Sequence, residues 1–497
     1  MILCSLLKKY GKLKHLDYYV ARIIFLLALT KIIYCCCLIK LLFCALVKLD
    51  CLKMYFDKIK LEKLLQGALN RYNIPGLAAC VMHEGKIIYK SGFGLRNVSP
   101  SSCVNSKTIF GVASITKLVT ALIIKQAENE NILSMSDLVS AHIPDLSCLQ
   151  NTKIEIRHLL NHSAGFPGLP TRHKSTDLCS SKINDEMKSF DDLVVYLNKL
   201  DFDMLAEPGK LLSYSNEGYC LLGCIIERLY RDSFISVVTE KVFKPLKLNR
   251  SFIGMNQAEF FNNIAEPLEV GKKNTNFAPI QYWDAPLFYS AGGLMTTVED
   301  MSLLISHIGN IGSFGISEPL TANRIPVTSR NCKRYLYGSG LEIDLVDNNN
   351  TLIWHTGQRP GISSFVGYLK ELRLSVALAI NIADAPTARL GRNIFKEFLQ
   401  DRIELIKLQW PPKVDQNHFK NDDLSKFTGI YGSLEMGNFN VFEKEEKLFL
   451  QYSETLEEFK FSSCKNGTVG EQTFKFLFST DQRANALALD LRVFPLK

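Results

Sequence analysis

Beyond its first sixty residues the chain has no surplus of either charge. Residues 61–497 hold 47 basic and 47 acidic side chains, so the whole formal charge of +8 lies in residues 1–60, which carry eleven Lys or Arg, three Asp and no Glu. A neutral body gives no electrostatic footprint for nucleic acid, which sets that class of partner aside. Cysteine supplies no framework either. Six of the fourteen fall in the first 51 residues, including Cys35-Cys36-Cys37. The other eight show neither metal-ligand spacing nor a compact disulfide rhythm. His158 and His162 stand four apart, a spacing that grips zinc on a helix, but no Glu follows His158 and no third ligand stands out. Hydrogen bonds that fix the turn Ser163-Ala164-Gly165 are the better reading, with a zinc hydrolase as the alternative. Cys220 and Cys224 share a helix face and read as small core residues rather than a redox pair.

One long apolar run is present, from about Ile23 to Val47, interrupted by Lys31 and Lys40. Its length of about 25 residues suits a spanning helix. Lysines inside such a helix cost roughly 2.5 to 3.5 kcal/mol each near the bilayer centre and less when they snorkel. Lys8, Lys9, Lys12, Lys14 and Arg22 precede the run, so an uncleaved anchor with its N-terminus cytoplasmic and its body luminal or extracellular is expected. Asn97-Val98-Ser99 and Asn249-Arg250-Ser251 are among the glycosylation sequons consistent with that side. A basic, acid-poor leader also fits mitochondrial targeting, and Met54 is an alternative start.

The most informative residues are Ser114-Ile115-Thr116-Lys117. Helix-compatible residues continue to Glu130, with Leu118, Ala121 and Leu122 at the intervals of an amphipathic helix. Residues three apart share a face, so the Ser114 hydroxyl and the Lys117 amine can meet. Serine is a poor nucleophile without an adjacent proton acceptor. Lysine serves as one only if its pKa falls from about 10.4 toward neutrality. The same spacing recurs at Ser5/Lys8 and Ser462/Lys465, so the tetrad alone carries little.

Its companions follow in order. Tyr214-Ser215-Asn216 comes after the turn Pro208-Gly209 and before a helical pattern through Leu221, Leu222, Ile225 and Ile226. A tyrosine can relay a proton, and an amide can orient a substrate carbonyl. Trp354-His355-Thr356-Gly357-Gln358 then reads as a strand, in which glycine admits a close substrate and the next N–H can complete an oxyanion hole.

This ordered set resembles the serine β-lactamase and penicillin-binding-protein superfamily, whose signature includes Ser-x-x-Lys and a late Lys-Thr-Gly. The Tyr-Ser-Asn form looks like the class C β-lactamase branch, with its D-aminopeptidases, DD-peptidases and esterases. Asn73 to Leu77, Ile156 to Gly165 and Ser290 to Leu294 also look like family segments, so the likeness covers roughly residues 60 to 400. It implies Ser114 as the acylated nucleophile, Lys117 as its proton acceptor, Tyr214 sharing the proton transfer, and Asn216, Thr356, Gly357 and Gln358 around the substrate. The oxyanion hole would be the N–H groups of Ser114 and Gln358. No metal or organic cofactor is implied.

His355 departs from the pattern, because the third motif often begins with lysine. The loss of a permanent positive charge makes carboxylate recognition less secure and favours an esterase-like or amidase-like hydrolase of a small molecule or peptide. Processing of a carboxylate-bearing substrate is expected to improve as pH drops and His355 gains charge. The rival function is a catalytically inactive scaffold or binding protein.

The resemblance implies an α/β (α+β) fold of the β-lactamase/transpeptidase type, with an antiparallel sheet flanked by helices and a helical lobe. Early strands Leu77–Met82 and Lys86–Lys90, and late ones 337–344, 363–369 and 374–382, are expected to share that sheet. The organisation read from the chain is a leader over 1–54, a hydrolase domain over 55–407, a linker over 408–423 and a small β-domain over 424–497. Six β-like runs in the last segment, opening with Phe427 to Tyr431, look like a lipocalin-like barrel.

Overall fold

The computed structural model describes residues 57–169, 188–271, 276–282, 284–310, 320–321, 323–327, 335–346, 350–399, 423–433, 437–452, 455–461, 466–469, 472–478, 484–489 and 491–497. The first helix, α1 (Lys58–Arg71), buries Leu61, Leu65, Ala68 and Leu69 on one face. Strands β1 (Gly76–His83) and β2 (Lys86–Val98) form a hairpin. Its turn residues Glu84 and Gly85 have φ of +49° and +77°, the sign that tight hairpin turns require.

Strand β3 (Ser101–Cys103) pairs with β2. The chain returns to the sheet late, with β4 (Ile325–Pro326), β5 (Tyr335–Gly338), β6 (Leu341–Leu345), β7 (Thr351–Arg359), β8 (Ile362–Leu369) and β9 (Leu374–Ile380). The nine strands lie in the order β3-β2-β1-β9-β8-β7-β6-β5-β4, with antiparallel neighbours. Pairing from Leu77↔Ile380 to His83↔Leu374 joins the early and late halves, as the sequence leads one to expect. The run 337–344 is a hairpin and not one strand, because Ser339 and Gly340 turn it.

Central strand β8 is buried along its whole length because helices cover both faces. A side chain at Gly309, in α4 (Val298–Gly309), would strike Tyr368, and one at Gly391, in α5 (Thr387–Leu399), would strike Phe365. Tyr368 and Phe365 are an odd number of positions apart on β8 and so face opposite sides.

Two helices form the heart of the lobe that faces the sheet: α2 (Thr116–Asn129) and α3 (Asn216–Tyr230), which pack on each other. The amphipathic reading of α2 needs correction. Every residue from Thr116 to Ala127 is buried, including Lys117 and Lys125, because neighbours surround it on all sides.

The C-terminal segment forms eight antiparallel strands in sequence order: β10 (Gly429–Ser433), β11 (Gly437–Lys444), β12 (Lys447–Tyr452), β13 (Thr455–Phe461), β14 (Asn466–Val469), β15 (Gln472–Leu477), β16 (Ala486–Leu489) and β17 (Arg492–Pro495). A bridge between Tyr431 and Leu496, and the Lys497 N–H on the Ile430 carbonyl, tie the last strand to the first. Phe427, Phe439, Phe459, Phe474, Phe476 and Phe494 pack together with Tyr431 in the core of this unit. The sequence reading finds six of these strands and misses β14, whose Asn-Gly opening reads as a turn, and the four-residue β17.

The membrane expectation is corrected. Among the described residues no helix is long and apolar enough to cross a membrane. The run at 23–47 that suggested an anchor, and all but the last residue of the 408–423 linker, lie outside the described residues.

Candidate active site

Ser114 sits in a single 3-10 turn, Ala113–Ile115, immediately ahead of α2. Ala113 has φ +46°, a region that a Cβ-bearing residue enters only when its surroundings hold it there. Those surroundings are specific. Phe110–Gly111 pairs with Leu294–Thr296, and the Val112 N–H bonds to the Leu294 carbonyl at 3.0 Å. Thr116 Oγ1 donates to the Ala113 carbonyl (2.6 Å) and accepts from the Leu294 N–H (2.9 Å). The serine is therefore clamped between a small sheet and the start of a buried helix.

Lys117, one turn on, is 0 % exposed. Its Nζ donates to Ser114 Oγ (3.2 Å), Asn216 Oδ1 (2.9 Å) and the Ala291 carbonyl (2.9 Å). The amine also lies 4.8 Å from the Tyr214 ring centroid and 5.3 Å from that of Tyr219. Tyr214 and Asn216 reach this point because Ser215 caps α3, its Oγ accepting the Gly218 N–H at 3.0 Å. The hydroxyl, amine, phenol-bearing ring and amide thus converge from two separate helix starts. The segment Ser290 to Leu294 matters through its backbone, since Ala291 supplies an acceptor for Lys117.

Strand β7 forms the far wall. Its ladder with β6 ends at the Glu342↔Trp354 pair, whereas pairing with β8 runs on to Arg359↔Ile362. The β6-side edge from His355 onward is therefore outside that ladder and lies beside the nucleophile turn. A Cβ on Gly357 would come 1.9 Å from the Val112 carbonyl oxygen, so only glycine permits this approach. The Gln358 side chain points outward to donate to the Asp384 carboxylate.

Behind Tyr214 runs a chain of buried polar groups. The Ser215 N–H donates to His162 Nδ1 (3.1 Å), which leaves the His162 proton on Nε2, facing Tyr337 Oη at 3.2 Å. Tyr337 Oη in turn lies 3.1 Å from His355 Nε2, and His355 Nδ1 donates to the Thr356 carbonyl. Both imidazoles are neutral in this pattern. Burial, reinforced by the charge of Lys117, holds His162 well below its ordinary 6.5 and pushes His355 down to about 3.

This overturns the expectation that His355 gains charge in mild acid, because it is 3 % exposed and beside a cation. The expected NMR result is a His355 ring signal that holds its neutral position from pH 8 to pH 5. A midpoint near 6.5 would contradict it. Unfolded histidine takes a proton near 6.5, so below that pH the unfolded state binds more protons and stability falls. The stabilisation from His355 is complete above about 6.5 and is lost as pH drops toward 3, by up to about 1.4 kcal/mol per pH unit, and His162, held well below 6.5 by burial, adds a loss of the same sign.

The zinc alternative fails on geometry. The helix Ile156–Leu160 ends before His162, which leaves it at φ +58°, so the two histidines do not share a helical face. His158 Nδ1 accepts the Glu155 N–H, and both His162 nitrogens are engaged. Cys220 and Cys224 are buried and reduced in the helix core, and burial pushes the Cys224 thiol up to about 12. The sequence reading missed Tyr337 and Tyr219, which carry no motif. It also missed an approach from the C-terminal barrel: the Tyr214 N–H donates to the Leu491 carbonyl at 2.6 Å.

Comparison with known proteins agrees with this architecture. The family model described as Beta-lactamase matches residues 61–398. "Protein flp" of Staphylococcus aureus (strain COL) is 25 % identical over 312 residues, covering 62 % of this chain, and the chain spans only 59 % of that relative's length. Among solved structures, the octameric penicillin-binding protein homologue from Pyrococcus abyssi superposes with a TM-score of 0.60 at 22 % identity, covering 89 % of this chain and 98 % of that one. The crystal structure of SurE gives 0.67 at 18 % identity, covering 88 % and 98 %.

Proposed function

The chain belongs to the beta-lactamase family, a superfamily of serine hydrolases, and on that premise we propose that it cleaves an ester, amide or peptide bond through an acyl-enzyme on Ser114. The observation that carries this reading is the Ser114 hydroxyl within 3.2 Å of a fully buried amine that also holds Asn216.

In the resting pattern of three donated bonds Lys117 is an ammonium, and it acts once it has lost one proton. In the proposed first step, Ser114 Oγ adds to the substrate carbonyl carbon while its proton passes to the amine lone pair, and the two remaining N–H groups stay on Asn216 and Ala291. The oxyanion accepts the N–H groups of Ser114 and Gln358, donors fixed in advance by the strained turn and by β7. Collapse expels the leaving group, which receives a proton through Tyr214 and Lys117. Water then enters, gives its proton back along the same route, and releases the acid with Ser114 restored. Asn216 would hold an amide on the acyl side. The closed order of β10 to β17 supports a lipocalin-like reading of the C-terminal unit.

A panel of aryl esters and D-amino-acid peptides tests this. Turnover of at least one member by the wild type, lost by a thousandfold or more in Ser114→Ala, is expected. Equal turnover by the two proteins would remove the serine mechanism.

A further inference from the structure

Strand β7 carries the oxyanion donor Gln358, yet its ladder with β6 stops at the Glu342↔Trp354 pair, just before the motif residues begin. At the next position a side-chain contact takes over. Tyr337, on β5 of the hairpin that flanks β7, places its hydroxyl 3.1 Å from His355 Nε2. The hairpin itself is seated against the nucleophile helix. A side chain at its turn residue Gly340 would come 2.9 Å from the Lys117 carbonyl oxygen.

Backbone groups dictate the direction of every bond around Tyr337. The Thr356 carbonyl only accepts, so His355 carries its proton on Nδ1 and offers a lone pair at Nε2. The Ser215 N–H only donates, so His162 carries its proton on Nε2 and gives it to Tyr337 Oη at 3.2 Å. One hydroxyl meets both demands, accepting from His162 and donating to His355. Tyr337 is 0 % exposed, so bulk water competes for neither bond. A phenylalanine would fill nearly the same volume and answer neither ring.

Both ends of this bridge lie in the proposed machinery. Ser215 stands between Tyr214 and Asn216, and the His162 ring centroid is 4.1 Å from that of Tyr214. The same Tyr214 ring has the Lys117 amine at 4.8 Å and the Arg492 guanidinium carbon at 5.5 Å. At the other end, Thr356 precedes Gln358 by two residues on β7. The proton-transfer loop and the oxyanion strand are thus joined through a single buried phenol.

We propose that Tyr337 is a positioning residue: by bridging His162 and His355, its hydroxyl holds the Tyr214–Asn216 loop and β7 at the separation that Ser114 chemistry requires. The inference rests on the serine-hydrolase reading and adds a residue that acts through the two imidazoles and not on the substrate. The histidines serve as neutral struts, each with one fixed tautomer.

Tyr337→Phe is assayed with p-nitrophenyl acetate. Its kcat is expected to fall about ten- to a hundredfold, the cost of a displacement approaching 1 Å between reacting groups, while KM stays within about twofold. Tyr368→Phe is the control, because it removes another buried phenol of the same sheet, bonded to Asn310 at 2.8 Å on the α4 side. That variant is expected to keep the wild-type kcat. An equal fall in both variants, or a wild-type kcat in Tyr337→Phe, overturns the proposal. The second measurement uses wild-type protein and holds even if the variant fails to fold. Spectra of 15N-histidine-labelled protein at pH 7 are expected to show neutral His162 protonated on Nε2 and neutral His355 protonated on Nδ1. The opposite tautomer in either ring breaks the bridge and overturns the proposal. Failure of the hydrolase reading shows differently, as wild-type protein with these tautomers and no Ser114-dependent turnover of the ester. That result removes the inference with its premise, whereas the others remove the inference alone.

Discussion

Lys117→Met is expected to slow acylation of Ser114 by about 10²- to 10⁴-fold, the range attributable to a positioned general base. The substitution keeps the length and apolar stem of the side chain and removes the amine that stands 3.2 Å from Ser114 Oγ. Asn216 Oδ1 and the Ala291 carbonyl lose a donor at the same time. The desolvation cost of a buried ammonium disappears with them, so the two changes oppose each other and stability should move by no more than about 2 kcal/mol. Loss of activity in a protein that still melts cooperatively separates a chemical role from a structural one. The measurement is the second-order rate of fluorophosphonate labelling beside a thermal melt. Retention of more than a tenth of the wild-type rate would show that another group takes the serine proton.

Gly357→Ala is expected to damage both stability and turnover. The new methyl carbon would lie 1.9 Å from the Val112 carbonyl oxygen and 2.5 Å from Ser364 Oγ. The serine can rotate away; the carbonyl belongs to the backbone two residues before Ser114 and cannot. Strand β7 must therefore withdraw from the nucleophile turn, at a cost of about 1–3 kcal/mol for overpacking. A shift approaching 1 Å between Ser114 and the oxyanion donors is enough for a hundredfold fall in kcat. Gly67→Ala is the matched control, because nothing lies within 4 Å of the added carbon and the helix α1 gains propensity. Comparable losses in the two variants would show that the Gly357 contact is not special.

The parts of the site legible in the sequence are those set by local geometry. Ser114 and Lys117 meet because they are three apart at a helix start, and Tyr214 and Asn216 flank a serine that caps a helix. The barrel's β-like runs also read directly, apart from Asn466–Val469, which opens on a turn-like Asn-Gly, and the short last strand Arg492–Pro495. What stayed hidden depends on enclosure. His355 looks titratable in the sequence, and its neutrality comes from burial beside Lys117, a property of the assembled fold. The stripe on α2 looks one-sided because Thr116, Lys117 and Lys125 are polar, yet all three are buried. Likewise, nothing near residue 214 announces that residues 491 and 492 will lie against it. Contacts between distant segments leave no period, spacing or turn signal for a reader to find.

The most direct test of the central claim is intact-protein and peptide mass spectrometry after exposure to a fluorophosphonate. A single phosphonyl adduct on the peptide containing Ser114, absent from Ser114→Ala and strongly slowed in Lys117→Met, is the predicted result. An unmodified wild-type protein, or an adduct that persists on another residue when Ser114 is replaced, would contradict it.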